Sequence, residues 1–297
     1  LFTMRFIGQP FTFGFQQVGT NCGLIGQNAA LEVDGAAYWM SENGFFKYSG
    51  NLETMICLVE DFVFDDLNTT ANQLINVGLN NLFGEITWFY CTESSTVVNR
   101  CVTYNYQDSS PQRPVWTTGT LNRGAWQDSS VFGLPHATFF NASDDASFDV
   151  QGNTEGSTIY FEHEKGTDEA LANGINVITS NIESGDFDIT QARSSTGQQT
   201  GVATFKGDGE FLMKIRRFIP DFLSQTGNTQ VTFLLRDYPN DTQAGSALGP
   251  FTVSSSTKKV DTRARARAIA LKIANTTTNQ SWKLGTFRLD VQPDGRR

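Results

Sequence analysis

Residues 36–50 read AAYWMSENGFFKYSG. Two runs rich in apolar and aromatic residues, Ala36–Ser41 and Phe45–Gly50, flank Glu42-Asn43-Gly44, and Asn-Gly between such runs is the strongest short-range signal for a β-hairpin. Upstream, Leu31–Val33 ends at the turn signal Asp34-Gly35 and predicts one more strand. This stretch therefore predicts a three-stranded antiparallel meander.

The same alternation of short strands and turns continues in both directions along the chain. Turn signals recur roughly every 8 to 15 residues, and many intervening segments alternate with the period of two that is typical of half-buried strands. Further strands are predicted at Phe2–Ile7, Phe11–Gln17, Glu85–Cys91, Arg100–Tyr106, Val115–Thr118, Ala137–Phe140, Thr158–Glu164, Asn176–Ile182, Glu210–Phe218, Gln230–Arg236, Thr252–Ser256, Arg263–Ala274 and Trp282–Val291.

One short helix is predicted, at Ala71–Leu79, with Asp65 or Asn68 as its N-cap and Asn80-Asn81 as its end. The composition agrees with a fold dominated by strands, because 24 Phe, 5 Trp, 7 Tyr and 27 Gly in 297 residues supply strand formers and turns. We therefore predict an all-β fold with at most short helices. The sequence has no run of about 18 consecutive apolar residues, which is the length that a membrane-spanning helix requires.

The spacing of the strands favours a β-propeller built of four-stranded antiparallel blades of about 40–50 residues. A sandwich with a long insertion is the competing architecture. The stretch Asp186–Gly201, which is rich in Ser, Thr, Gln and Gly, is predicted to be a surface excursion.

The four cysteines are too few and too scattered for a disulfide scaffold. Cys91 and Cys101 flank a predicted hairpin, so a bond between them is one alternative and free buried thiols are the preferred one. The spacing also lacks the paired cysteines of a structural zinc site.

The net charge of −9 is unevenly distributed. Residues 258–297 carry +7, which leaves −16 on residues 1–257. Nucleic-acid binding depends on Lys and Arg side chains that neutralise the phosphates. A chain with this acidic excess repels phosphate as a whole and is not expected to bind nucleic acid tightly.

The sequence gives only weak signals for a catalytic or metal-binding site. His136 is predicted to lie in a loop, and His163, between Glu162 and Glu164, at a solvated strand end, with a metal ligand or base as the minority reading. Glycosidase chemistry needs paired carboxylates, and Asp61, Asp65, Asp66, Asp144 and Asp145 are candidates without a recognisable constellation. Residues 207–210 read as a turn and residues 141–149 as a solvated loop. We predict no catalytic residue, metal or cofactor, and no enzyme.

The most distinctive local feature is the alternating run Arg263-Ala264-Arg265-Ala266-Arg267-Ala268. In an extended strand it places three Arg on one face and three Ala on the other. Ile269, Leu271 and Ile273 continue the parity of the arginines, so the strand must pass from one environment to another, for example at a bulge. Pairing of Arg263, Arg265 and Arg267 with acidic groups, within or between subunits, is the preferred role, and contact with passing DNA is the alternative.

Two C-terminal runs, TRARARAIALKI at 262–273 and SWKLGTFRLDVQPDGRR at 281–297, resemble the ending of tail proteins of short-tailed bacteriophages and prophages. The resemblance extends to GTNCGLIG at 19–26, Tyr38–Met40, Glu85–Tyr90 and Ile219–Phe222. These proteins form the tail nozzle or hub, also described as tail tubular B-like. The resemblance identifies no catalytic residues.

The resemblance implies a propeller-containing subunit of a homo-oligomeric ring, a hexamer, below the tail adaptor and around the channel through which double-stranded DNA is ejected. It implies contacts with the adaptor and with tail fibres, assembly in the bacterial host cytoplasm, and a place in the virion tail. Residues 1–297 are then the C-terminal region of a longer protein. An acidic lumen suits such a channel, since it does not bind the sliding DNA. The rival from another class is a secreted or virion-borne propeller enzyme or lectin that acts on host glycans.

Overall fold

The computed structural model describes residues 1–128, 131, 133–140, 158–171, 174–193, 199–204, 211–238, 241 and 247–295. Strands make up 53% of the chain. In the described part the helical elements are one α-helix of five residues, Glu60–Phe64 (α1), and one 3-10 helix of six residues, Thr69–Leu74. The prediction of an all-β fold with short helices is confirmed.

The chain divides into two compact units, Leu1–Lys165 and Gly166–Arg297. The strands of unit 1 are β1 (Phe2–Phe6), β2 (Phe13–Gln17), β3 (Ala30–Val33), β4 (Ala36–Ser41), β5 (Gly44–Tyr48), β6 (Leu52–Met55), β7 (Asn76–Asn80), β8 (Glu85–Tyr90), β9 (Arg100–Asn105), β10 (Trp116–Gly119), β11 (Ala125–Gln127), β12 (His136–Phe140) and β13 (Thr158–Glu162).

Unit 1 is a series of antiparallel meanders in which sequence neighbours pair. β1 and β2 form a hairpin, β3–β6 and β7–β10 form two four-stranded sheets in chain order, and β11–β13 form a three-stranded sheet. The first strands of successive sheets lie side by side, with β7 between β3 and β11, and a parallel bridge joins Asn28 to Asn76. The predicted propeller is not seen among the described residues.

Aromatic side chains fill the space between the two four-stranded sheets. Phe45 of β5 lies 4.9 Å from the ring of Trp88 and 4.8 Å from that of Trp116. The buried indole nitrogens are satisfied, since Trp88 donates to the carbonyl of Ala29 at 3.0 Å and Trp116 to that of Ile56 at 2.8 Å. The Phe and Trp content therefore serves to pack one sheet on the next.

The predicted helix Ala71–Leu79 is wrong over most of its length. Asn68 is the N-cap, and its Oδ1 accepts from the backbone N–H of Thr70 at 3.0 Å, but it caps only the 3-10 helix Thr69–Leu74. Residues 76–80 form β7, paired with β8 from Asn76–Phe89 to Asn80–Glu85. Tertiary pairing overrides a weak helical periodicity here.

The strands of unit 2 are β14 (Asp168–Leu171), β15 (Gly174–Val177), β16 (Asn181–Glu183), β17 (Thr190–Arg193), β18 (Gln199–Thr204), β19 (Met213–Ile219), β20 (Phe222–Thr226), β21 (Thr229–Arg236), β22 (Ala247–Val253), β23 (Val260–Ala266), β24 (Ala268–Ala274), β25 (Ser281–Leu284) and β26 (Arg288–Pro293). They form the sheets β16-β24-β21-β22 and β23-β19-β26 and the hairpin-like pairs β14-β15, β17-β18 and β20-β25.

The two larger sheets of unit 2 share one hydrophobic core. Met213, Ile215 and Phe218 of β19 are fully buried in the same cluster as Val231 and Phe233 of β21. Two sheets with a common core form a sandwich, which is the architecture that the sequence placed second. Phe187 and Ile189 also join this core, so the first part of Asp186–Gly201 is not a surface excursion. Residues 194–198 of that stretch lie outside the described residues.

Most predicted strands are confirmed within a few residues, but three predicted strands are divided. Asn176–Ile182 becomes the end of β15 and the start of β16, Trp282–Val291 becomes β25 and β26, and Arg263–Ala274 becomes β23 and β24. The last break lies at Arg267, where the chain leaves one sheet of the sandwich and enters the other. The predicted change of environment after the arginines is therefore confirmed.

Candidate functional site

The strand β23 has the two faces that its alternating sequence predicts. Ala264 and Ala266 are buried against the sandwich core, whereas Arg263 and Arg265 are exposed. The two alanines are 0% and 1% exposed, and the arginines keep their charge in water. The third arginine, Arg267, lies in the bend between β23 and β24 and is half-buried. Two arginines, not three, therefore form the ladder on the strand.

A β-bulge shapes this part of the sheet. The register between β19 and β23 shifts between Ile215 and Arg217. The buried Thr262 fills the irregularity, because its hydroxyl donates to the carbonyl of Ile215 at 2.9 Å and accepts from the N–H of Ala264 at 3.1 Å. The bulge leaves Arg216 outside the ladder of paired residues and exposed beside the arginines.

Basic groups outnumber acidic groups on the outer face of the sheet β23-β19-β26. Lys214 lies directly opposite Arg265 and shares its face. The charged residues of the three strands and their flanks comprise the cations Lys259, Arg263, Arg265, Lys214, Arg216, Arg217 and Arg288 and the anions Asp261, Asp290 and Asp294. We call this surface the basic sheet face.

Two of the three acidic groups of the basic sheet face, Asp261 and Asp294, are already engaged. Asp261 accepts from Arg217 at 2.9 Å and from Lys259 at 2.9 Å, and Asp294 accepts from Arg265 at 2.5 Å. The hydrogen bond from Arg265 lowers the pKa of Asp294, and the charges of Arg265, Lys214 and Arg216 add to the effect. Both aspartates are therefore ionised at neutral pH and share their charge among several cations.

Arg263 has no ion pair or hydrogen bond within the part of the chain that the structure describes. On the strand β23 it lies between two residues that have cross-strand partners in β19, Arg265 opposite Lys214 and Asp261 opposite Arg217. Its five donors can form a fork-shaped contact with a carboxylate or a phosphate. The basic sheet face can thus take up an anionic group from another molecule.

The sequence misplaced one of the two histidines. His136, predicted in a loop, is in β12, only 3% exposed, with Nδ1 hydrogen-bonded to the hydroxyl of Tyr160. His163 lies at the end of β13 between the exposed Glu162 and Glu164, as predicted. Its ring, however, is half-buried against Trp126, with ring centroids 4.5 Å apart.

His163 accepts a hydrogen bond from a buried arginine. The Nε of Arg123 donates to its Nε2 at 2.8 Å, and the Arg123 guanidinium lies 4.2 Å from the ring of Phe161. Burial, together with the charge of Arg123, lowers the pKa of His163 to about 4. A neutral imidazole that accepts from a buried arginine holds the ends of β11 and β13 together.

The described carboxylates give one pair with raised pKa values. Burial raises the pKa of Glu85, with a further rise from the charge of Glu164, and burial also raises the pKa of Glu164. Asn80 donates to Glu164 at 2.9 Å. The sequence named other acids: Asp61 and Asp65 are exposed at α1, and Asp66 lies 4.0 Å from Arg100. Asp144, Asp145, the run 141–149 and the turn 207–210 lie outside the described residues.

All four cysteines are free. Cys101 lies opposite Phe89 in the β8–β9 ladder, so the Cys91 thiol is displaced from it along the hairpin. Burial raises the pKa of Cys101 to about 11, so the thiol is protonated at neutral pH and is a weak nucleophile. The preferred reading of the cysteines as buried thiols is confirmed.

The described residues contain no group of three or more His, Cys, Asp or Glu that could hold a metal ion. Among them, too, no helix has the length and apolar character to span a membrane.

Neither models of known protein families nor curated proteins give a match to this sequence. The functional reading therefore depends on the geometry of the chain and on the residues quoted above.

Proposed function

We propose that the chain is a structural subunit of the tail of a short-tailed bacteriophage, in the nozzle or hub, where copies of it form a ring around the DNA ejection channel below the adaptor. In this role the chain is not an enzyme and uses no cofactor. Its partners are further copies of itself, in a hexamer, together with the adaptor and tail fibres. Double-stranded DNA passes through the lumen without specific binding.

The observation that carries the proposal is the basic sheet face on an otherwise acidic chain. Residues 1–257 carry −16, so the most abundant anionic surface available to Arg263 is another copy of the same protein. Bidentate contacts between arginine and carboxylate fix both register and orientation, which a closed ring requires. The engaged aspartates and the bare Arg263 give this face an excess of donors for such contacts.

The meanders of unit 1 support the finer part of the proposal. Two four-stranded sheets in chain order, with their first strands adjacent, are what two neighbouring blades of a propeller look like. We extend the proposal to a propeller of which these two sheets are blades. The sandwich of unit 2 lies next along the chain and carries the basic sheet face.

Co-purification with tailed particles tests the function. An antibody raised against the chain should label the distal tail of intact particles in electron micrographs, and quantitative gel analysis should give six copies per particle. A protein that stays in the host supernatant, with none in purified particles, would contradict the proposal.

The alternative, an enzyme or lectin acting on host glycans, has one observation in its favour, the carboxylates Glu85 and Glu164 with raised pKa values. Two carboxylates with separated protonation states are the machinery of glycoside hydrolysis. Release of reducing sugars from host surface polysaccharide, abolished by Glu164→Gln but not by Glu93→Gln, would support it. We favour the structural role because the Asn80 amide already engages Glu164.

A further inference from the structure

The N-terminal hairpin exposes one apolar face. Opposite residues of β1 and β2 share a face of the hairpin, and the register pairs Met4 with Phe15 and Phe6 with Phe13. Phe2 lies on the same face. These five side chains are 49–74% exposed, whereas scattered single apolar residues are the norm on protein surfaces. We call this surface the arm face.

The orientation of the hairpin is unusual, because its polar face and not its apolar face lies at the cleft of its own unit. The other face, which carries Thr3, Arg5 and Gln16, lines a cleft of about 300 Å³ together with Tyr48 and Leu52 of the adjoining sheet. The polar face of the hairpin thus borders this cleft, and the apolar arm face lies on the opposite side of the hairpin. Burial of apolar area normally directs the opposite arrangement.

The size of the arm face approaches that of a stable interface. Its five apolar side chains are 49–74% exposed. At about 150–250 Å² for a large side chain, they present on the order of 600 Å². One partner in a standard protein–protein interface buries about 800 Å².

A second, unlike apolar surface lies elsewhere on unit 1. Ile56, Leu58 and Phe62, in and before α1, are 59%, 70% and 48% exposed, while Val59 and Val63 between them point into the core. We call this the acceptor patch. Two different surfaces on each copy are what a head-to-tail contact needs, and head-to-tail contacts close into rings.

We infer that the arm face of one copy docks on the acceptor patch of a second copy of this chain. A two-stranded hairpin is only marginally stable alone in water, so docking also orders it. The inference rests on the proposed ring assembly and names the contact that forms it, beside the charged contacts of the basic sheet face.

Sedimentation velocity of the 297-residue chain with surface variants tests the inference. The arm variant Phe6→Thr/Phe15→Thr keeps β-forming residues and should raise the dissociation constant of self-association at least tenfold, as expected for central aromatic contacts. The acceptor variant Leu58→Asp should do the same. The control Arg5→Thr/Gln16→Thr, on the opposite face of the same hairpin, should leave the dissociation constant within about twofold. Circular dichroism and melting establish that each variant is folded.

Mixing the two defective variants gives the sharpest outcome. Each retains one intact surface, so a 1:1 mixture should form heterodimers at a concentration at which each variant by itself is monomeric. The inference is overturned if both variants assemble like the parent chain, if the mixture stays monomeric, or if the parent chain is a monomer that binds phosphatidylcholine vesicles through Phe6 and Phe15.

The inference and the proposed function fail separately. A monomeric chain that is nevertheless found in the tails of purified particles removes the inference alone. A chain that associates through the arm face but is absent from particles removes the phage role and leaves the contact.

Discussion

At the scale of single residues, charge and burial separate the arginines of this chain into different roles. Arg123 is buried and packs on Phe161 and His163, so it belongs to the fold. Arg265 is exposed and engages Asp294, and Arg263 is exposed and engages no described residue. The free donors of Arg263 are therefore what the basic sheet face offers to a partner.

Replacing Arg263 and Arg265 by Gln should weaken self-association about tenfold, the loss of a close interfacial charge contact. The melting temperature should hardly change, because exposed ion pairs contribute little to stability. Sedimentation velocity at several salt concentrations measures this. The parent chain should lose affinity as salt rises, and the variant should be less sensitive.

The matched control removes two exposed lysines instead, Lys258→Gln and Lys283→Gln, with the same change in net charge. It should assemble like the parent chain. If the arginine variant also assembles normally and only retention or ejection of DNA changes, the arginines face the lumen and the assembly role is wrong.

The neutral state of His163 makes stability depend on pH. Its pKa is about 4 in the folded chain and about 6.5 when unfolded, so the unfolded state binds more protons between these values. Its contribution is complete above pH 6.5 and is lost as the pH falls towards about 4. His163→Gln retains an acceptor for Arg123 and should flatten this part of the curve. Urea unfolding from pH 4 to 7 checks it, and parallel curves for parent and variant would contradict the assignment.

Reducing agent should change neither the melting temperature nor the sedimentation of the chain, because all four thiols are free. Calorimetry with and without dithiothreitol is the measurement. A fall in melting temperature of more than about 4 °C on reduction, which corresponds to roughly 1 kcal/mol or more in a domain of this size, would reveal a stabilising bond.

At the scale of elements, the strand β7 depends on a residue without a side chain. A Cβ added at Gly78 would lie 2.5 Å from Cγ of Trp126, whose indole donates to the carbonyl of Leu79 at 2.8 Å. Gly78→Ala should therefore destabilise unit 1 by about 1–3 kcal/mol through overpacking. Gly124→Ala is the control, because nothing lies within 4 Å of its Cβ. Equal unfolding midpoints in urea for the two variants would show that Trp126 moves aside.

The same glycine explains why the sequence misplaced an element. Ala71, Leu74, Ile75 and Gly78 have helical spacing, but Gly78 is selected by the approach of Trp126, some fifty positions along the chain, and not by a helix. Local pattern carries no information on that contact. Where the local signal and the fold agree, as in the hairpin around Glu42-Asn43-Gly44, the prediction is confirmed to the residue for β4.

The alternation in Arg263–Ala268 shows what a pattern can and cannot determine. It gave the exposed and buried faces of β23 and the change of environment that follows. It could not give Asp294, Lys214 or Arg216 as neighbours, because β19 and β26 reach β23 from distant parts of the sequence. It also could not place His136 and His163 among aromatic rings, since their burial depends on β11, β12 and β13 packing against β7.

At the scale of the whole molecule, the features that indicate a role lie on the surface and not in the described interior. The chain combines an acidic majority, one basic sheet face, an apolar arm face and an apolar acceptor patch, whereas its described interior holds packed aromatic rings and protonated thiols. Exposed apolar patches of this kind mark interaction sites on proteins, and we propose that here they serve association with other copies. The central claim is therefore that the chain assembles with itself into a closed ring.

Electron microscopy of the purified chain tests that claim most directly, with particles classified by symmetry over a range of protein concentrations. The account predicts closed rings with a central opening and six copies, which disappear in high salt and in the Phe6→Thr/Phe15→Thr variant. Monomers at every concentration, or aggregates without rotational symmetry, would contradict it.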